Sequence, residues 1–100
     1  MTLPVAKMTM HERVDWDALY YVYILECADG TLYTGITNCL ERRVKKHNAG
    51  EGAKYTRGRT PVKLVWFEQV LNRSLALKRE AAIKKLSRSQ KLRIIEGTNV

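Results

Sequence analysis

Cysteine is scarce in this sequence of 100 residues. Cys27 and Cys39 are its only two cysteines, too few for a disulfide framework or for a zinc site of the usual spacing. Both thiols are expected to stay reduced, as they do in the cytosol. The sequence also has little that would direct it to a membrane, since it contains neither a long apolar run nor an apolar N-terminal stretch with a cleavage site. We therefore expect a cytoplasmic protein.

Acidic residues are few in comparison with basic ones. Asp and Glu number 10 and Lys and Arg number 18, so the formal net charge is +8 and the isoelectric point is near 9.8. An excess of one sign says little about the fold, but it attracts polyanions, and nucleic acid above all. An anionic membrane surface is the rival partner. Because the basic residues are spread over several segments, the charge favours DNA, or RNA, as the partner.

The chain is predicted to be a tail followed by one compact domain. Residues 1–17 show no clear hydrophobic period and are expected to form a poorly ordered N-terminal tail. Residues 18–97 form the predicted domain. Strand patterns cover residues 20–27, 31–37 and 62–70, and helix patterns cover residues 38–47, 74–86 and 87–96. This order predicts an α+β fold in which helices flank a three-stranded antiparallel sheet. Asn38 with Glu41, Ser74, and Ser87 with Gln90 are the expected helix starts.

The turn between the first two strands determines which side chains share a face. A three-residue turn at 28–30, with Gly30 in the left-handed region, pairs Cys27 with Thr31. In that register Val22, Ile24, Leu32, Thr34 and Ile36 form one apolar face. Tyr23 and Tyr33 lie together on the other face, where Gly35 leaves open space opposite Tyr23. A two-residue turn would scramble both sets, so the clean segregation favours the bulged turn.

The first predicted helix carries two functional residues on its apolar side. Leu40, Arg43, Val44 and His47 follow the spacing of a single helical face. Because the apolar residues must turn toward the sheet, Arg43 and His47 are carried inward with them. An arginine on the packed side of a helix needs a partner or an anion. The helix is therefore predicted to deliver Arg43 and His47 to the tyrosine-bearing sheet.

Taken in order, these motifs resemble the GIY-YIG nuclease superfamily. The family's Gly-Ile-Tyr element corresponds to Tyr21-Val22-Tyr23, with Tyr21 in place of the glycine, and its Tyr-Ile-Gly element corresponds to Tyr33-Thr34-Gly35. Arg43 follows ten residues after Tyr33, where the family keeps its catalytic arginine, and His47 stands where members have His or Tyr. Glu80 matches the family's metal-binding glutamate. The resemblance covers about residues 20–86. Within the family, the chain is similar to a small stand-alone bacterial branch.

The resemblance implies a role for each matching residue. It implies that Glu80 holds one divalent cation, Mg²⁺ or Mn²⁺, and that Arg43 grips the scissile phosphate. Tyr23 or Tyr33 would act as general base toward water, and His47 would orient a tyrosine or relay a proton. By helical angle, Glu80 is expected beside a stripe formed by Leu75, Ala82, Ile83 and Leu86, next to Ala76 and Ile83 and at the rim of the packed face.

Each of these residues also has a purely structural interpretation. Tyrosines in strands usually pack, a lone histidine is more often structural than catalytic, and Glu80 could simply pair with Lys84 along its helix. The occurrence of all these residues together, in the order of the family's motifs, favours a functional role for them. The loop at 50–61 is predicted to bind nucleic acid, because cations contact phosphates and an aromatic ring stacks on a base; the alternative is a flexible solvated loop. Its candidate residues are Lys54, Tyr55, Arg57 and Arg59.

The predicted function is a metal-dependent endonuclease-like domain that hydrolyses phosphodiester bonds in DNA. Family members usually carry a separate targeting domain, and none is recognisable here. Specificity is therefore expected to come from DNA structure or damage, as in DNA repair, or from a targeting protein partner. Two alternatives remain open, a nucleic-acid-binding module with weak or lost catalysis and a protein-interaction adaptor. The set Tyr23, Tyr33, Arg43 and Glu80 favours the enzyme.

Overall fold

The computed structural model describes residues 19–97. In chain order, the elements are β1 (Tyr20–Glu26), β2 (Leu32–Thr37), α1 (Leu40–Asn48), β3 (Lys63–Val70), α2 (Arg73–Lys84) and α3 (Arg88–Ile95). The strands form one antiparallel sheet in the order β2-β1-β3. The predicted α+β fold is confirmed, whereas the predicted tail at 1–17 falls outside the described residues. None of the described helices has the length and apolar character needed to cross a bilayer.

The bulged register of the β1–β2 hairpin is confirmed. Cys27 N–H donates to the carbonyl of Thr31 at 2.8 Å, and Gly30 N–H donates to the carbonyl of Cys27 at 2.9 Å. Gly30 has φ of +83°, a conformation that residues with a Cβ avoid. Tyr23 consequently stands opposite Gly35. The turn thus fixes which residues of the two strands can meet at a site.

Both faces of the sheet are covered by helices. On one face, Val22 and Ile24 pack with Ala76 and Ile83 of α2 and with Ile95 of α3. On the other face, the cluster of Tyr23, Leu25, Cys27 and Val62 packs against Leu40 and Val44 of α1. The expectation of open space beside Tyr23 was wrong, because the tyrosine-bearing face is itself a packed core. A site on this face must therefore lie where the core meets solvent.

Helix starts were only partly predictable. The Ser87–Gln90 capping box of α3 is confirmed, with both reciprocal hydrogen bonds formed. The other two predicted starts were wrong. The N-cap of α1 is Cys39, not Asn38, and the N-cap of α2 is Asn72, whose side chain accepts from the backbone N–H of Leu75 at 2.9 Å. Each error is a shift of one or two residues, and it leaves the helix faces nearly unchanged.

Candidate active site

Tyr23 is the buried centre of the candidate site. Its side chain is fully buried, although it ends in a polar hydroxyl. The hydroxyl fills the space that Gly35 leaves on the adjacent strand, since a Cβ at Gly35 would lie 2.6 Å from the phenol oxygen. Tyr33 lies next to it, with ring centroids 6.3 Å apart, and is only partly buried. The hairpin therefore presents one enclosed and one accessible tyrosine.

Helix α1 brings Arg43 and His47 to these tyrosines, as the sequence predicted. His47 is fully buried, and its ring centroid lies 6.0 Å from that of Tyr23 and 5.4 Å from that of Tyr33. Arg43 is half-buried. Leu40 and Val44 pack into the core on the same side, so burial of the apolar residues carries the two polar ones inward. The cluster is a consequence of the helical period.

A directed chain of hydrogen bonds runs through His47. Thr56 donates its only hydroxyl proton to the carbonyl of Ala53 at 2.9 Å. Its oxygen must therefore accept from Nδ1 of His47, 2.7 Å away. A neutral imidazole with a proton on Nδ1 has a lone pair on Nε2. The Tyr23 hydroxyl, 2.9 Å from Nε2, therefore donates to His47.

Burial and Arg43 set the protonation states of this pair. The pKa of Tyr23 is raised from 10.0 to about 12; burial is the largest cause, the Arg43 guanidinium partly opposes it, and the negative charge of Glu80 adds to the rise. The pKa of His47 is lowered from 6.5 to about 4, mainly by burial and in addition by the positive charge of Arg43. Around neutral pH both groups are therefore uncharged. The hydrogen bond joins a phenol to a neutral imidazole.

The lowered pKa of His47 predicts that the fold loses stability in mild acid. The unfolded chain binds a proton at His47 near pH 6.5, but the folded chain does so only near pH 4. Stability is therefore complete above pH 6.5, falls as the pH drops toward 4 and then levels off, with a total loss of about 3 kcal/mol from this group. Urea unfolding at a series of pH values measures it. In His47→Gln this part of the pH dependence should vanish; an unchanged profile would contradict the assignment.

Gly52 is needed because it lies against His47. A Cβ at Gly52 would overlap Nδ1 of His47 and lie 2.7 Å from its Cγ and 2.8 Å from its backbone Cα. Backbone atoms cannot yield as a flexible side chain does. Gly52→Ala should therefore destabilise the protein by about 1–3 kcal/mol and should displace the imidazole, raising the pKa of His47 toward 6.5. NMR titration of the His47 ring protons measures the second effect.

Gly50→Ala is the control for this prediction. A Cβ at Gly50 meets nothing within 4 Å, but the residue has φ of +79°. Its replacement should cost about 1–2 kcal/mol of backbone strain and leave the pKa of His47 near 4. If both variants shift the His47 titration equally, the contact with Gly52 is not what holds the ring.

Glu80 reaches the site from α2, although the predicted stripe on that helix was partly wrong. Leu75 is 41% exposed, and the buried residues of α2 are Ala76 and Ile83. Glu80 is four residues after Ala76 and three before Ile83, so it shares their face, and its side chain is only 18% exposed. It also forms the helix pair with Lys84, at 3.4 Å. Its negative charge is among the causes that raise the pKa of Tyr23.

The residues around Glu80 fit a sparsely ligated divalent cation. Within residues 19–97, no group of three or more His, Cys, Asp or Glu side chains converges on one point. A cation at Glu80 would therefore have one or two ligands of these types among the described residues, with water and substrate oxygens completing the shell. Mg²⁺ is often bound in this way, through one or two carboxylates plus phosphate and water. Glu80 is oriented by its helix and remains partly open to solvent, as such a site requires.

The loop at 50–61, which we call the basic loop, is ordered and joined to the site, and it is not a flexible solvated loop. Its 3₁₀ turn, Lys54–Thr56, buries Thr56 beneath His47. The Tyr55 ring stacks on Tyr33 with centroids 5.9 Å apart and remains 41% exposed. Arg59 lies over this ring at 4.2 Å and pairs with Asp29 at 3.0 Å. Lys54 and Arg57 are exposed and make no salt bridge within the described part of the chain.

The structure thus gathers most of the predicted residues and adds two that the sequence did not indicate. Tyr23, Tyr33, Arg43, His47 and Glu80 come together, and Tyr55 adjoins them through Tyr33. Arg59 is turned toward Asp29 and is not free to contact a phosphate without leaving it. Thr56 and Gly52 were missed. Both lie in a loop whose interpretation was dominated by its basic residues, and neither residue type signals a contact that only the fold creates.

The arrangement is that of a GIY-YIG catalytic domain. A family model described as the GIY-YIG catalytic domain matches residues 19–93, which is nearly the whole described chain. The chain belongs to this family, and its membership implies a nuclease-type activity. The resemblance seen in the strand and helix motifs is confirmed.

Known relatives are small single-domain proteins of similar length. One, the UPF0213 protein HQ_3675A of Haloquadratum walsbyi, is 60% identical over 82 residues, covering 81% of this chain and 92% of the relative. Another, the UPF0213 protein CPE1444 of Clostridium perfringens, is 60% identical over 80 residues, or 80% and 86% of the two chains. The solution NMR structure of the protein EF2693 from E. faecalis is 46% identical with a TM-score of 0.55, covering 79% of this chain and 84% of that one.

Proposed function

We propose that this protein is a divalent-metal-dependent endonuclease that hydrolyses phosphodiester bonds in DNA. The observation that carries the proposal is the buried Tyr23–His47 hydrogen bond, 2.9 Å long, to a phenol whose pKa also responds to the charges of Arg43 and Glu80. A tyrosine kept only for packing has no need of a basic partner, a cation and a carboxylate together. Phosphodiester hydrolysis needs all of these, since it requires an activated water and neutralisation of the phosphate.

Each residue has a role that follows from its contacts. The Arg43 guanidinium binds the non-bridging oxygens of the scissile phosphate, for which its planar set of donors is suited. The Tyr23 oxygen accepts a proton from the attacking water and passes its own proton to Nε2 of His47, which already accepts that hydrogen bond. Thr56 holds His47 in the tautomer that leaves Nε2 free to accept. These assignments make Tyr23, not Tyr33, the general base.

Glu80 would hold the divalent cation. Nucleases of this family generally use divalent metals, and Mg²⁺ or Mn²⁺ suits a site with one carboxylate. When bound, the cation supplies positive charge that polarises the phosphate and stabilises the charge developing on it. Lys84, paired with Glu80 at 3.4 Å, is exposed enough to give way to such an ion. Surface pairs of this kind are weak.

A second function is favoured by one observation. The pKa of Tyr23 is about 12, so its phenolate is rare near neutral pH until substrate and cation bind. A protein that never meets the right substrate would then bind nucleic acid and cut it slowly or not at all. This alternative is a nucleic-acid-binding module with weak catalysis. RNA as the substrate, and a protein partner that directs the domain to DNA, are compatible with either function.

A cleavage panel tests the proposal. Labelled single-stranded, duplex, flapped and branched DNA, with the matching RNAs, is incubated with protein and Mg²⁺ or Mn²⁺, and parallel reactions contain EDTA. We expect cleavage of at least one structure with divalent ion and none with EDTA. Binding without cleavage across the whole panel would favour the second function. Cleavage that persists in EDTA would contradict the metal requirement.

A further inference from the structure

A basic pocket lies next to the candidate active site, and none of its lining residues is one of the five catalytic candidates. It has a volume of about 230 Å³ and forms where α3 approaches the β1–β2 hairpin and the basic loop. We call it the α3 pocket; its lining residues are Thr31, Leu32, Tyr55, Arg88 and Lys91. It is smaller than the cavities that hold drug-sized ligands, and its size suits a single nucleotide better.

The charge of the α3 pocket is positive. Arg88 and Lys91 are three residues apart on α3, so they share one face of the helix. Neither takes part in a salt bridge within residues 19–97, whereas Lys84 and Arg79 on α2 do. Among the described residues, no carboxylate lines the pocket. The nearby Asp29 already accepts from Thr31 and pairs with Arg59. The two cations are therefore available to an anion that enters from solvent.

Tyr55 connects the α3 pocket to the catalytic residues. Its ring lines the pocket and also stacks on Tyr33, 5.9 Å away, while Tyr33 lies beside His47. One aromatic ring thus separates the pocket from the tyrosine cluster. A strand whose scissile phosphate reaches Arg43 would pass Tyr55 within the next nucleotides. A pocket with an aromatic wall, an apolar floor at Leu32 and two cations matches a base attached to a phosphate.

We propose that the α3 pocket binds one unpaired nucleotide of the substrate, next to the cleavage position. Its base lies against Tyr55 and Leu32, and its phosphate contacts Arg88 and Lys91. The inference rests on the proposed function in one respect, that the ligand is a nucleic acid. It adds a substrate class, nucleic acid with a single-stranded segment at the site, because a base can enter the pocket only if it is not paired.

A binding experiment with matched variants tests this proposal. The variant Arg88→Ala/Lys91→Ala loses the two pocket cations, and Arg73→Ala/Lys78→Ala loses two exposed cations of α2 that do not line the pocket. Arg73 comes three residues after Val70. Val70 pairs with Tyr20 at the end of the sheet that is far from the hairpin turn. Fluorescence anisotropy measures the affinity for labelled oligodeoxythymidine in EDTA at several salt concentrations, and for the same strand annealed to its complement.

The pocket variant should show a smaller salt dependence on the single strand. The slope of log K against log salt, which is negative, should become shallower by about 0.7 to 1.4, since one or two phosphate contacts are lost at about 0.7 each. The control variant should change the slope less. Tyr55→Leu should weaken single-strand binding about tenfold with little change of slope, because stacking does not depend on salt as phosphate contacts do. Under cleavage conditions the pocket variant should raise KM and leave kcat unchanged.

Several results would overturn the proposal. An unchanged slope in the pocket variant does so, as does an equal fall in the control variant. If the pocket variant loses as much affinity for the duplex as for the single strand, the pocket does not bind an unpaired base. If polyglutamate competes as strongly as oligodeoxythymidine, the pocket is a general anion site. Failure of the pocket is distinguishable from failure of the nuclease. If the wild type binds as expected but cuts nothing, the pocket proposal is supported and the nuclease proposal is contradicted. If the wild type cuts and the pocket variant binds and cuts equally well, the nuclease proposal is supported and the pocket proposal is contradicted.

Discussion

Glu80→Gln should abolish cleavage while leaving the fold almost unchanged. The substitution removes the negative charge that would hold the cation but keeps the size of the side chain. Loss of one group that stabilises the transition state typically costs about 10²–10³-fold in rate, and a lost cation should cost at least that. Within residues 19–97 its carboxylate forms one salt bridge, with Lys84 at 3.4 Å, which is worth less than about 0.5 kcal/mol. Thermal melting beside the nuclease assay measures both.

The chain offers a matched control for this substitution. Glu41 pairs with Lys45 at 3.3 Å, also four residues along a helix, but its side chain is 82% exposed. Glu41→Gln should melt and cut like wild type. Line broadening of backbone amide signals by Mn²⁺ gives a readout that does not depend on activity: signals around Glu80 should broaden in wild type and in Glu41→Gln, but not in Glu80→Gln. If Glu80→Gln cuts as fast as wild type, the metal assignment is wrong.

Tyr23→Phe should reduce cleavage by about 10²–10⁴-fold, the usual contribution of a general base. The ring still fills its place in the core, so the domain should fold. The hydroxyl is lost, however, and Nε2 of His47 is left without the hydrogen-bond partner that it has at 2.9 Å. An unsatisfied buried group of this kind costs about 1–3 kcal/mol. Single-turnover cleavage at saturating protein, together with urea unfolding, separates the loss of chemistry from the loss of stability.

Tyr33→Phe identifies which tyrosine is the base. Tyr33 is more accessible than Tyr23 and stacks on Tyr55, but no hydrogen bond of its hydroxyl to another side chain is seen within the described chain. We expect a smaller loss of rate than in Tyr23→Phe and no change in the pKa of His47. A loss in Tyr33→Phe that exceeds the loss in Tyr23→Phe would assign the general base to Tyr33 and leave Tyr23 to position His47.

The sequence by itself determined the hairpin register, the family and the inward side of α1. These are local properties. Register follows from a period of two and a turn glycine, Gly30, whose φ of +83° needs no side chain. The inward direction of Arg43 and His47 follows from the apolar residues that share their face, Leu40 and Val44. The fold class follows from the same patterns, because each element carries its own period and its own boundaries.

Only the tertiary structure decided how the site is closed and oriented. The tyrosine face is a packed core because α1 folds over it, which a strand pattern cannot show. The bond from His47 to Thr56 joins residues nine apart through a loop whose path depends on the whole domain, yet it fixes the tautomer that makes Tyr23 a donor. The face of α2 that carries Glu80 is set by Ala76 and Ile83, since burial depends on the surface a helix meets and not only on its own apolar residues.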